Sequence, residues 1–291
     1  MTRADTRYGI LVGVDGSEES DAAVRWAATE AAKLGVAITL MHAVEPIVIS
    51  WPMASFPETI AEAQREAAAT VIGRATEVLS ATGENVEVRT DMQFSGAVPA
   101  LADASKDALM VVVGSRGMGA IGRAVLGSVS AGLVHYGFGP VVVVHVQDGH
   151  LPDEAAPIVL GIDGSPASEA ATEIAFAEAD RRRAELVAVH VWSDVGVLPV
   201  IGLDWREFEQ RGEEVLGERL AGWQEQYPDV TVRRRVLCDK PAHWLLEEGR
   251  DAQLIVVGSH GRGGFSGMLL GSVSSAVAHS AHVPVMVVRP R

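Results

Sequence analysis

A chain of 291 residues, 48% of them hydrophobic and spread along its whole length, exceeds the usual single-domain size and excludes a fibrous or largely disordered architecture. Its formal net charge of −14 is shared by both halves, with 10 basic against 17 acidic side chains in residues 1–150 and 14 against 21 in residues 151–291. That balance argues against a polyanion-binding surface, and the triplets Arg181–Arg183 and Arg233–Arg235 read as solvated helix ends and strand faces, so no nucleic-acid partner is expected.

In chain order, residues 8–14 (YGILVGV) predict a first strand, 21–34 a helix, 36–44 (VAITLMHAV) a second strand and 58–80 a long helix. Residues 86–92 predict a third strand, 96–106 a helix, 108–114 (ALMVVVG) a fourth strand, 128–136 a helix and 140–146 a fifth strand. The series then repeats. Asp15 and His42 recur as Asp163 and His190 at an offset of 148, whereas Val86, Gly117 and Pro140 recur as Val230, Gly261 and Pro284 at an offset of 144. The missing residues fall most simply in the connection EPIVISWPMASFP, whose counterpart is SDVGVLPVIGL, because length changes belong in surface loops. Ser55 with Glu58 and Asp204 with Glu207 have capping-box spacing, and Pro57 and Pro166 fall near first-turn positions. Runs apolar on both faces, such as LMVVVG and LIVVG, suit central parallel strands covered by helices. The expected fold is α/β, two tandem doubly wound, mostly parallel five-stranded sheet domains at residues 1–146 and 158–291, joined by the polar linker 147–157.

In such a sheet a ligand crevice lies beyond the carboxyl ends of the strands, where neighbouring connections diverge. Gly114, Gly117, Gly119 and Gly122 follow the fourth strand, and Gly127 precedes a helix that opens Ser128, Val129, Ser130. Glycine N–H groups can converge on an anion, a helix N-terminus adds free donors, and the two serines add hydroxyls. The alternative is a tight loop with Ser128 as a helix cap. The same frame returns as Gly258, Gly261, Gly263 and Gly271 before Ser272, Val273, Ser274, which favours an anion site. It is no Walker A loop, for want of a Gly-Lys-Ser/Thr, and no dinucleotide fingerprint, since DGSEES and DGSPAS follow the first strands. Between the copies Arg116 becomes His260, Met118 becomes Arg262 and Arg123 becomes Gly267, so the two sites are expected to differ in affinity. Asp15 and Asp163 could accept ribose hydroxyls or hold Mg²⁺ opposite phosphates, or else cap the adjacent turn. His42 and His190, with no second ligand at metal spacing, read as packing or loop support.

These motifs resemble the universal stress protein family, and within it the two-domain stress proteins of mycobacteria and related actinobacteria. The likeness rests on VGVDGS and LGIDGS, LMHAV and AVHVW, and the full Gly-x2-Gly-x9-Gly-Ser signature at Gly117–Ser128 and Gly261–Ser272, and it spans nearly the whole chain. It implies an adenine nucleotide alpha hydrolase-like fold that binds ATP, with Mg²⁺, and lacks a strong dedicated enzymatic activity. By that resemblance Asp15 with Gly16, and Asp163 with Gly164, would meet ribose or metal, while Ala43 and Val191 would border adenine through backbone groups. The phosphates would lie among Gly114, Gly117, Gly119 and Gly127–Ser130, and among Gly258, Gly261, Gly263 and Gly271–Ser274. It also implies pairing of the fifth strands in an internal pseudo-dimer, a further homodimer and an unidentified regulatory partner. A slow ATPase or autokinase using the same pocket, and an interaction scaffold with vestigial sites, are the alternatives.

Cys238 is the single cysteine, which excludes an internal disulfide and any Cys–Cys metal motif, and without a nearby histidine it reads as structural. No apolar run approaches 18 residues and the N-terminus lacks a signal-peptide core, so a cytoplasmic protein without a membrane partner is expected. Trp26 and Trp244 fall in helical patterns and read as packed, while Trp51 and Trp205 lie in or beside the variable connections.

Overall fold

Valine, isoleucine and leucine in unbroken runs form the middle of each sheet in the computed structural model, which describes residues 6–45, 58–117, 126–146, 150–192, 205–261 and 270–290. The chain divides into two units, Met1–Val144 and His145–Arg291. The first contains β1 (Ile10–Gly13), α1 (Glu18–Leu34), β2 (Ile38–Ala43), α2 (Glu58–Ala81), β3 (Val88–Gln93), α3 (Ala97–Ala104), a 3₁₀ turn (Ser105–Asp107), β4 (Met110–Gly114), α4 (Ser128–Tyr136) and β5 (Val141–Val144). Its strands lie in the order β3-β2-β1-β4-β5 and pair in parallel, with Ile10 opposite Ile38 on one side and Met110 on the other. The second contains β6 (Ile158–Ile162), α5 (Pro166–Arg182), β7 (Leu186–Val191), α6 (Trp205–Gln226), β8 (Val232–Leu237), α7 (Pro241–Glu248), β9 (Leu254–Gly258), α8 (Ser272–Ser280) and β10 (Val285–Val288). Its order is β8-β7-β6-β9-β10, again with parallel pairs.

The central strands are dry. Ile10, Leu11, Val12, Val111 and Val112 are fully buried, as are Ile158, Val159, Leu160 and Val256. The edge strands β3 and β8 instead expose Arg89, Arg233 and Arg234, and charge on an edge discourages further strand pairing. In each unit the chain winds outward from its first strand and then returns to the other side of it. The carboxyl ends of β1 and β4, and of β6 and β9, therefore flank the point where connections diverge.

Helix α1 begins at Glu18, three residues before the expected start at 21. Ser17 is its N-cap, the Ser17 hydroxyl accepting from the Ser20 amide at 3.1 Å, and Glu18, Glu19 and Asp21 complement the helix dipole. It stops at Gly35, whose left-handed φ of 64° lets its N–H reach the carbonyls of Ala31 and Ala32. In α5 the cap is Ser165, Pro166 occupies the first turn, and Arg183 takes the left-handed stop at φ 51°. The expected capping boxes at Ser55 and Asp204 lie outside the described residues, as do Pro57 and Trp51.

Helices α1 and α2 are tied by Arg74 to Asp21 at 2.6 Å, and α5 and α6 by Arg219 to Glu169 at 3.1 Å. Deeper in the second unit, Glu178 is 2% exposed and meets Arg181 and Arg182, the latter at 2.9 Å. Arg182 donates on to the Gln253 side-chain carbonyl at 2.8 Å, and the Gln253 amide donates to the Glu154 carbonyl at 2.8 Å, tying α5 to the segment before β6.

Candidate functional site

The buried strand β1 runs directly into Val14–Asp15, which brings a carboxylate to the switch point. The Asp15 Oδ1 atom accepts from the Ser17 amide at 3.0 Å and the Ser17 hydroxyl at 2.6 Å, closing a turn in which Gly16 takes φ 84°. The second unit repeats this with the Ser165 amide donating to Asp163 Oδ1 at 2.9 Å and Gly164 at φ 80°, but the Ser165 hydroxyl turns to the His260 carbonyl at 2.9 Å. Gly16 and Gly164 are thus turn formers, holding the positive φ that only glycine takes easily, and neither is among the residues lining the two strand-end cavities.

Beyond the strand ends of the first unit lies a cavity of about 550 Å³. Asp15, Ala43, Gly114, Gly117 and Gly127–Ser130 all line it, joined by Met41, Leu101 and Arg116. A cavity of about 280 Å³ in the second unit brings together Asp163, Val191, Gly258, Gly261 and Gly271–Ser274 with Leu245 and His260. Gly119 and Gly263 lie outside the described residues.

The polar end of each cavity is a helix start without a cap. Gly127 and Gly271 are the N-caps of α4 and α8 and provide no side-chain cap bond. The first intrahelical bonds run from Ala131 to Gly127 and from Ser275 to Gly271, so the amides of 128–130 and 272–274 have no acceptor within their own helices. Helices α1 and α5, starting nearby, are capped by serine. The hydroxyls of Ser130 and Ser274 are not directed at the cavity as expected. Ser130 Oγ donates to the Gly114 carbonyl at 2.6 Å, and Ser274 Oγ donates likewise to Gly258, locking each helix start to the end of its strand. Their backbone amides and the hydroxyls of Ser128 and Ser272 are the groups left for a ligand.

The glycines serve different ends. A Cβ on Gly114 would stand 2.6 Å from the Glu19 carbonyl carbon, and one on Gly258 2.6 Å from that of Ala167, so these residues let α1 and α5 approach the strand. A Cβ on Gly117 would stand 2.3 Å from Asp15 Oδ2, and one on Gly261 2.5 Å from Asp163 Oδ2. Neither Gly117 nor Gly261 has a positive φ, so what a side chain there would meet is the end of the aspartate carboxylate, which would have to shift.

His42 and His190 hold the second strand of each unit to the first, their Nδ1 atoms lying 2.6 Å and 2.7 Å from the carbonyls of Val14 and Ile162. Arg116 pairs with Glu19 at 2.8 Å. Both partners change together in the second unit, to His260 and Ala167, and His260 Nδ1 lies 3.0 Å from the Ser259 hydroxyl. Burial and, less strongly, Asp239 push the Cys238 thiol above its ordinary pKa, which disfavours the nucleophilic thiolate. Trp26 is buried at 6% exposure. Trp192 and Pro241 line the second cavity and escaped the sequence reading, although aligning the copies sets Trp192 against Val44 and Pro241 against Ala97. Among the described residues no group of three or more His, Cys, Asp or Glu could hold a metal by itself, and no helix is long and apolar enough to cross a membrane.

The model of the Universal stress protein family matches residues 9–145 and again 155–289. The chain belongs to the universal stress protein family. It is 58% identical over 294 residues to a universal stress protein of Mycolicibacterium smegmatis, covering 100% of both chains. It is 49% identical over 293 residues to a universal stress protein of Mycobacterium tuberculosis, covering 99% of each. A crystal structure of a universal stress protein from Archaeoglobus fulgidus DSM 4304 has the same fold, with a TM-score of 0.70 at 22% identity over 97% of this chain and 98% of that one. Full-length coverage makes the tandem arrangement a property this universal stress protein shares with its relatives.

Proposed function

We propose that the chain is a cytoplasmic, adenine-nucleotide-binding regulator that holds ATP with Mg²⁺ in both cavities and passes its occupancy to a protein partner in a stress or growth response. The observation that supports this most is the pairing, twice in one chain, of an uncapped helix N-terminus with a carboxylate in a single cavity. Amides presented by 128–130 and 272–274 suit phosphate oxygens, since they carry the positive end of the helix dipole. In this reading the phosphates lie at Gly117 and Gly127–Ser130 in the first unit and at Gly261 and Gly271–Ser274 in the second. Ribose lies at Asp15 and Asp163, and adenine beside Ala43 and Val191.

The donor set fits Mg²⁺. Each cavity is lined by one aspartate and by the serine that opens the helix, Ser128 or Ser272, and Mg²⁺ characteristically takes few protein ligands and fills its octahedron with water and phosphate oxygens. The ion would neutralise phosphate charge there; Asp15 and Asp163, each fixed in place by its turn, would hold it wherever they do not meet the ribose.

Binding rather than turnover is the assigned role. Among the described residues the cavity hydroxyls of Ser130 and Ser274 are bound to strand carbonyls and the two strand-end histidines face carbonyls, so neither pair forms a nucleophile with a positioned base. Denaturing the purified protein and identifying the released small molecules by chromatography with mass detection tests the proposal. Two ATP per chain are expected. None released, and none bound when ATP and Mg²⁺ are added back, would leave an interaction scaffold as the better reading. A homodimer of the full chain belongs to the same proposal and is read by light scattering.

A further inference from the structure

The two cavities are alike at their polar ends and unlike at their apolar ends. Trp192 lines the second cavity one residue beyond Val191, whereas the corresponding Val44, one residue beyond Ala43, does not line the first. The Trp192 amide donates to the Leu237 carbonyl at 3.1 Å, which continues the β7–β8 ladder and fixes where the half-buried indole leaves the sheet. Pro241, in the first turn of α7, lines the second cavity where the corresponding Ala97 lines the first.

The turn that carries Pro241 is itself unusual. Asp239 and Lys240 sit at φ 58° and 53°, two consecutive non-glycine residues in the left-handed region, where the first unit has Ser95 and Gly96 with no positive φ. Such backbone persists only where surrounding contacts hold it, and here Trp244 Nε1 donates to the Cys238 carbonyl at 3.1 Å across the turn. The wall is therefore a built feature of the second unit. The charged groups differ as well, since the first cavity has the Arg116 guanidinium, paired with Glu19 at 2.8 Å, and the second has His260.

We infer that Trp192 is the base-recognition residue of the second cavity, a stacking surface that makes it selective for a purine ring, while the first cavity holds its ligand chiefly by the phosphate end. The inference rests on the nucleotide reading above and adds which end of the ligand each cavity recognises. Indole offers a large rigid π-face, and a purine covers more of it than a pyrimidine does.

Calorimetric titration of the full chain with ATP, CTP and inorganic tripolyphosphate tests it in the wild type, Trp192→Leu and Trp192→Phe. ATP should show two classes of site in the wild type. Trp192→Leu should weaken only one of them, roughly tenfold, and narrow the ATP-over-CTP preference there, while Trp192→Phe retains most of both. Tripolyphosphate, which has no ring, should bind equally to all three proteins. The inference is overturned if Trp192→Leu leaves both ATP classes unchanged, or weakens tripolyphosphate as much as ATP. Should Trp192→Leu fail to fold by circular dichroism, the ATP-induced change in tryptophan emission decides instead: expected in the wild type and reduced in folded Trp192→Phe, with an equal change in both counting against the inference. A wild type that binds neither ATP nor tripolyphosphate removes the nucleotide reading, and this inference with it.

Discussion

Gly117 leaves its neighbour so little room that one methyl group decides whether the carboxylate of Asp15 can stay where it is. Gly117→Ala places Cβ 2.3 Å from Oδ2, and Gly261→Ala does the same to Asp163 at 2.5 Å. Each variant should stay folded and lose ATP binding at its own cavity, halving the stoichiometry measured by equilibrium dialysis; unchanged stoichiometry and affinity would remove these glycines from the site. Ser130→Ala should act differently, through stability. It deletes the bond to the Gly114 carbonyl and should lower unfolding free energy by about 1 kcal/mol in urea titration. The glycine spacing marked this region from sequence, but the partner of the Ser130 hydroxyl sits 16 residues earlier and only the fold brings it near. The same holds for Gly117, whose spacing shows in the sequence but whose neighbour, the Asp15 carboxylate, is brought near only by the fold.

The alternation of apolar strands with helices was legible because each run keeps its own period and Pro, Gly and Ser punctuate the joins. The start of α1 was not, because GSEES contains no apolar residue and the helical period first shows at Asp21, although Ser17 caps the helix directly behind Asp15. Ion pairs between helices were equally hidden. Asp21 and Glu169 occupy the same place in the two copies, yet Asp21 pairs with Arg74 while Glu169 pairs with Arg219, which the alignment of the copies sets one position further along the helix, opposite Ala75. Glu178 carries the larger consequence. Burial raises its pKa, but attraction to Arg182 and Arg181 with their hydrogen bonds outweighs burial, so the folded carboxyl titrates below its ordinary value. A depressed folded pKa contributes stability that is present above the unfolded value, about 4.3, and is lost as pH falls through the folded value. Glu178→Gln should therefore cost about 3 kcal/mol near pH 7, by removing the buried carboxylate charge that both arginines face, and should flatten acid unfolding below about pH 4. Urea midpoints measured across that range check both parts; a midpoint shift independent of pH would assign the residue a packing role alone.

For the molecule as a whole, duplication was the most readable feature, since the signature at Gly117–Ser128 returns at Gly261–Ser272. Divergence between the copies was harder to weigh, because Trp192 and Pro241, on either side of β8 in the chain, come to one cavity only through the fold. If ATP occupies both cavities, free ligand at a hundredfold over Kd should stabilise the chain by about 2.7 kcal/mol per site, seen as a melting temperature several degrees higher. A melting curve indifferent to ATP and Mg²⁺ would count against occupancy. The uncapped starts of α4 and α8 carry one more consequence. Their first-turn amides lack the serine clasp that α1 and α5 possess, so in deuterated solvent they should exchange early when the protein is empty and slowly once an anion covers them. Occupancy would thereby be written as local order at two places in the fold, legible to any binding protein that touches those turns, without either sheet having to move.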